Sequence, residues 1–287
     1  MNLREVRDRI ASVKNTQKIT SAMKLVSAAK LRRAQAAIEG MLPYSDKLFS
    51  ILSSLLSCLE DSATPYTAVR DCRRVVVVAV SSDTGLCGTF NANVIRLLHE
   101  TVENYKAKGV EVELYSVGKK IHDAAIKIGL EPVCDLMEQS VSPEYNAVAA
   151  VARSLMSRYA TGDVDRVEVV HSHFQSAAKQ IAVNDLLLPL DIQSLQIETV
   201  ASCDYIVEPG KIEMLDVLLP KVVELRLFAS LLDSVAAEHA ARVLAMQIAT
   251  DNATDLISEL TLEYNKGRQQ AITNELLDIM SGSQANR

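Results

Sequence analysis

The chain contains no tryptophan, and aromatic residues make up only 4% of its 287 positions. An interior built from Leu, Val, Ile and Ala with few rings favours helix, where unbranched and small side chains lose least freedom. Breakers are also scarce, with 10 Gly and 7 Pro, which excludes a low-complexity or collagen-like chain. Long apolar runs are missing. Runs such as Val75 to Val80 and Leu186 to Leu190 fall far short of the about 20 residues that a membrane-spanning helix needs. The five cysteines, Cys58, Cys72, Cys87, Cys134 and Cys203, are odd in number, widely spaced and without a CxxC pair, so they read as reduced thiols rather than as a disulfide framework or zinc site. The opening MNLREVRDRI lacks the apolar core and cleavage site of a secretory leader and carries acids that transit peptides avoid. The chain is therefore expected in the cytoplasm. What remains, 48% hydrophobic and 23% charged residues, is the composition of a globular protein with room for one large domain or two ordinary ones.

Charge is unevenly placed. Residues 1 to 35 hold nine Lys or Arg against Glu5 and Asp8, a local +7, leaving −13 on the other 252 residues of a chain whose net charge is −6. A basic arm on an acidic body points to a partner with an acidic surface, whether nucleic acid, anionic lipid or an acidic protein loop.

Between Met1 and Gly40 there is neither Gly nor Pro, and Pro43 is the one proline before Pro65. Alternate steps of three and four connect Leu3, Val6, Ile10 and Val13 to Gln17, Thr20, Lys24 and Ser27, and then Leu31, Ala34, Ile38, Met41, Ser45, Leu48, Leu52, Leu55 and Leu59. This is a coiled-coil seam with a polar interruption. Within the interruption an apolar stripe at Ile19, Met23 and Val26 predicts a local phase shift. The C-terminal end mirrors the pattern from Leu215 through Ala236, Val243, Met246, Thr250, Ala253 and Leu260 to Tyr264. Pro220 is expected to kink this helix or mark a restart. At 1.5 Å per residue the two helices, read as 1–60 and 210–285, would reach roughly 90 Å and 110 Å. Between them, 70–207 reads as a base domain. RRVVVVAVSSD at 73–83 is a strand buried on both faces. Helices follow at 93–108, 119–128 and 143–159, and strands at 110–117 and 165–174, while 181–207 holds two possible further strands. The alternation predicts βαβ units and a mostly parallel sheet. The expected fold is thus α/β, a long antiparallel coiled coil of the terminal helices with an inserted Rossmann-like domain.

Candidate chemistry is thin. The turn Asp83-Thr-Gly-Leu-Cys-Gly-Thr-Phe-Asn91 follows a strand and precedes a helix, as a nucleotide loop does, but Gly85 and Gly88 lack GxGxxG spacing. No GxxxxGK[ST] exists. It reads as a structural turn with Asp83 capping the following helix. His171 and His173, two apart on a strand, share a face as metal-binding pairs do, yet no nearby Cys, Asp or Glu completes a site, Glu168 falling on the opposite face. Two half-exposed imidazoles are expected. Ser81 and Ser82 end a strand without a GxSxG context. The basic arm has no interleaved aromatics for stacking on bases, which counts against nucleic acid.

Three stretches resemble the gamma subunit family of F-type ATP synthases, and the likeness spans essentially the whole chain. They are the opening segment, with Ile10, Lys14, Gln17, Lys18, Ile19, Thr20, Met23, Val26, Lys30 and Ala34, the DTGLCGTFN turn, and the C-terminal EHAARVLAMQIATDNATDLISELTLEYNKGRQQAITNELLDIMSG. The turn departs from the family's pattern at Thr84 and Thr89. The resemblance implies a non-catalytic central rotor stalk without a cofactor, its paired helices turning inside a ring of three alpha and three beta subunits. It also implies contact with the epsilon subunit and the c-ring, and a place at the cytoplasmic face of a bacterial inner membrane with no insertion into it. By motif match, Met23 and Lys24 would face beta, and Arg242, Gln269 and Thr273 would contact alpha and beta, although as residues these three also read as solvated helix positions. Tyr205 and Glu208 would lie at the foot that meets the ring and epsilon. The competing reading is an α/β nucleotide-binding enzyme with coiled-coil arms.

Overall fold

The computed structural model describes residues 3–56, 65–190, 207, 208 and 210–285. Their packing divides into two compact units, one made of the two ends of the chain, 1–27 with 243–287, and one of 28–242.

Helix α1 runs Leu3–Leu56 and the last helix, α5, Lys211–Ala285. In the first unit they lie antiparallel, because contacts climb one helix as they descend the other: Gln17 with Thr254, Thr20 with Thr250, Lys24 with Gln247. The heptad seam is the buried stripe here, with Val6, Thr20, Ser27, Met246, Ala253 and Leu260 all buried. The predicted phase shift does not occur. Ile19 and Val26 are 60% and 58% exposed, and the polar residues stay inward because Gln17, Thr20 and Lys24 each find a partner across the seam, which offsets the penalty of burying them.

The second unit is built on a five-stranded sheet. Strand β1 is Arg74–Val80, β2 Glu111–Val117, β3 Pro132–Asp135, β4 Arg166–Ser176 and β5 Lys179–Leu188, in the order β3-β2-β1-β4-β5. All neighbours are parallel except β4 and β5, a hairpin. Helices α2 (Phe90–Ala107), α3 (Lys119–Lys127) and α4 (Tyr145–Ala160) make the crossovers and the layers. The valine run behaves as its composition demands. Val76, Val78 and Val80 point into a core shared with Leu48, Leu52 and Leu55 of α1, with α4, and with Leu215 to Leu231 of α5. Val75, Val77 and Ala79 point the other way, onto Val94 and Leu98 of α2 and Ile121 of α3. Each fully buried valine contributes about 1.5 kcal/mol or more, so the central strand anchors both layers.

Three boundaries differ from the sequence reading. Strand β3 has four residues bounded by Glu131 and Leu136, too short to show a period of two. The ambiguous stretch resolves at its start into β5, paired through Asp185 and Val183 with β4; residues 203–206 lie outside those described. Pro220 causes no restart, since α5 runs unbroken through it.

Candidate functional site

In the first unit the polar part of the seam is the feature with chemistry. Thr20 Oγ1 and Thr250 Oγ1 lie 2.8 Å apart, and each hydroxyl also has a carbonyl within reach, Gln17 O at 3.0 Å and Met246 O at 2.8 Å. Gln17 Nε2 donates to Thr254 Oγ1 at 2.8 Å, and Lys24 Nζ to Gln247 Oε1 at 2.7 Å. Gln247 Nε2 in turn donates to both oxygens of Asp251. Joined this way, the polar side chains are satisfied across the helix pair where a leucine layer would otherwise stand. Met23, next to this network, is half-buried. Gln269 and Thr273 lie where α5 is fully exposed, Thr273 Oγ1 donating only to Gln269 O one turn back.

In the second unit the turn after β1 stands at the carboxyl end of the parallel strands, the place where α/β sheets of this order bind ligands. Here it is filled from within. Ala237 and Ala241 of α5 pack on Cys87 and Phe90, and Arg242, 7% exposed, donates through Nη2 to Thr84 Oγ1 at 3.0 Å and Gly85 O at 3.3 Å. Its Nη1 donates to Glu238 Oε1. Burial pushes the Glu238 carboxyl above its ordinary value, with Arg242 pulling it back. The neighbouring His239 imidazole is pushed down to about 4 by burial, then by Arg242 and Lys30.

The serines and Asp83 are used structurally as well, but not as predicted. Asp83 Oδ1 accepts from Lys119 N at 2.9 Å and Ser81 Oγ from Ile121 N at 2.8 Å, so they cap α3, which follows β2, rather than α2. The cause is Gly118 at the start of α3. Its φ is +94°, and a Cβ there would meet Ser81 O at 2.2 Å, so no capping side chain fits and the donors are satisfied from the adjacent turn. Ser82 is held by Asn91, whose Oδ1 accepts from Ser82 N at 3.1 Å.

His171 and His173 split in exposure: His171 is buried at 2% and His173 is the half-exposed one. Carboxylates from distant parts of the chain reach them by folding. His173 Nδ1 lies 2.6 Å from Asp233 Oδ2, and Phe174 N donates to Asp233 Oδ1 at 3.0 Å. Burial pushes the Asp233 carboxyl up, but the imidazoles and that N–H outweigh it and hold it below its usual value.

Of the residues implied by resemblance at the foot, Glu208 is exposed in a bend, and Tyr205 lies outside the described residues. Among the described helices none is long and apolar enough to cross a membrane.

Antiparallel terminal helices with a doubly wound sheet inserted between them in the chain define a helical-hairpin protein with an α/β insertion. The ATP synthase family model matches residues 2–285. The ATP synthase gamma chain of Phocaeicola vulgatus is 49% identical over 287 residues, covering 99% of each chain. That of Bacteroides thetaiotaomicron is 46% identical over 295 residues, covering 98% of this chain and 99% of its own. A chain from the Euglena gracilis mitochondrial ATP synthase, solved as an OSCP/F1/c-ring assembly in rotational state 3, shares the fold with a TM-score of 0.65 at 22% identity, over 99% of this chain and 94% of that one. The chain belongs to the ATP synthase gamma chain family.

Proposed function

We propose that the chain is the central rotor stalk of a proton-translocating ATP synthase, a non-catalytic subunit. The observation that carries this reading is the polar seam between α1 and α5, where the small side chains of Thr20 and Thr250 meet. A shaft that turns inside a ring must be thin, and hydroxyls and alanines at the seam let the helix axes approach. Three identical catalytic sites facing such an asymmetric shaft each see a different surface, so its rotation shifts their nucleotide affinities in turn. Met23, Lys24, Gln269 and Thr273 are the positions proposed to meet alpha and beta, and the resemblance adds Arg242, which the fold gives other work. For Lys24 the basic arm supplies Coulomb attraction to an acidic loop of beta. For Arg242 the guanidinium is already occupied by Glu238, Thr84 and Gly85, so its part is to hold the DTG turn on α5. Tyr205 and Glu208 are proposed for the foot, against epsilon and the c-ring, which keep the chain at the cytoplasmic face of a bacterial inner membrane without insertion.

The test is co-expression with alpha and beta subunits from the same organism. A purified complex with one copy of this chain per three alpha-beta pairs, hydrolysing ATP while the chain alone does not, supports the stalk. A chain that stays apart and binds nucleotide by itself overturns it.

A further inference from the structure

We propose that the second unit carries a binding site for a single-chain amphiphilic carboxylate, of the medium-chain fatty-acid kind, in the groove enclosed by α1, α5 and the loop at 141–143. The inference goes beyond the stalk reading and does not depend on it. The groove measures about 370 Å3, within the about 300–1,000 Å3 of small-ligand sites. Its walls are mostly apolar: α5 contributes Phe228, Leu232 and Val235, and the loop contributes Val141 and Pro143. Phe228 stands edge-on to Tyr145 with ring centroids 5.4 Å apart, which fixes one wall before any ligand arrives. Val141 is 52% exposed, apolar surface that a hydrocarbon chain takes out of water.

The charge at the groove has one sign. Lys30 and Arg33, three apart on one side of α1, both line it. Both are exposed, and among the described residues neither is in an ion pair. None of the described lining residues carries a carboxylate. Glu238, close enough for Lys30 to act on it, is already paired with Arg242. The uncompensated field also reaches His239 in the same lining, whose imidazole is held neutral at ordinary pH by burial, Arg242 and Lys30. A ligand that matches both halves carries one anionic head for the two cations and an aliphatic tail for the apolar walls. A carboxylate can meet the guanidinium through two parallel hydrogen bonds. The size argues for one chain. A helix with its side chains is about 10–12 Å across, so two turns of an acidic peptide outsize the groove, and inorganic phosphate would leave the apolar walls uncovered.

The experiment titrates the full-length chain with decanoate, below its micelle concentration, by calorimetry. Expected are one saturable site, a negative heat-capacity change from apolar burial, and binding on the order of 10-fold tighter than octanoate, the ratio for two more buried methylenes. Lys30→Gln and Arg33→Gln, at exposed positions that leave the fold intact, each weaken decanoate about 2-fold to 5-fold and leave the uncharged decanol unchanged. Val141→Asp, also at an exposed position, sets a carboxylate against the ligand's own and weakens decanoate more than either. Non-saturable binding, equal affinity for decanoate and octanoate, or unchanged affinity in the Lys30, Arg33 and Val141 variants overturns the site. So does binding of phosphatidylglycerol vesicles or of an acidic amphipathic peptide without binding of decanoate, which gives the groove another occupant.

Discussion

Arg242 and Thr84 are 158 positions apart in the chain, yet the guanidinium Nη2 donates to the threonine Oγ1 at 3.0 Å. With Glu238 on its other side, Arg242 is one half of a buried ion pair. Truncating it leaves a carboxylate in the interior without its cation. Arg242→Ala is expected to lower unfolding free energy by about 3–5 kcal/mol, whereas Arg242→Met combined with Glu238→Leu recovers most of the loss. Urea unfolding followed by circular dichroism checks both, and an Arg242→Ala chain within about 1 kcal/mol of the parent would refute the pair's role.

His239 gives a pH dependence. Its folded-state value of about 4 lies below the ordinary 6.5, so in that interval the unfolded chain binds more protons than the folded one. Stability from this group is therefore complete above the ordinary value and is lost as pH falls toward the folded one. Between about pH 7 and about pH 5 the loss is about 2 kcal/mol. Glu238, raised by burial, works in the opposite sense just above its ordinary value. Comparing the chain with His239→Gln isolates the imidazole, and parallel stability curves for the two would show the assignment to be wrong.

Gly118 is expected to tolerate no side chain. Its positive φ and the 2.2 Å approach to a backbone oxygen mean that Gly118→Ala must displace Ser81 and uncap α3. A loss of at least about 3 kcal/mol is expected, since strain and a lost cap add. A melting temperature near that of the parent would contradict this.

The threonine pair of the seam should show the asymmetry of buried hydrogen bonds. Thr250→Val alone removes the cross-seam partner of Thr20, whose hydroxyl keeps Gln17 O, and costs about 0.5–1.5 kcal/mol, while adding Thr20→Val costs less than its own single substitution. A double-mutant cycle measures the difference directly, and additive losses would sink the coupling.

Lys24→Glu puts a carboxylate where Nζ meets Gln247 Oε1, with Asp251 bonded to the same glutamine. In a reconstituted complex, ATP hydrolysis is expected to persist while proton pumping falls. Undiminished pumping would remove Lys24 from the proposed contact with beta.

The helices and the central strand were legible because their patterns are long. The seam from Leu3 to Leu55 repeats often enough to fix which face is buried, and the valine run is buried on both faces. Local patterns mislead where the outcome depends on partners far away in the chain. Hydropathy alone moves the stripe to Ile19 and Val26, because it cannot know that Thr20 will meet Thr250. Asp83 looks like a cap for the next helix until Gly118, 35 residues later, turns out to need one. The two carboxylates beside His171 come from β5 and α5, and no local spacing announces them. Arg242 was recognisable only as a member of a motif; that its guanidinium is consumed by Thr84, Gly85 and Glu238 required the fold.

The polar seam also has a thermal consequence. Exposing apolar surface raises heat capacity and exposing polar surface lowers it. Separating the helices at Gln17, Thr20 and Lys24 uncovers hydroxyls and amides, whereas opening the valine-centred sheet uncovers aliphatic carbon. The stretch of helix pair around Thr20 should therefore hold with a strength that changes little between cold and warm, while the sheet's hold weakens on cooling as apolar hydration becomes less costly.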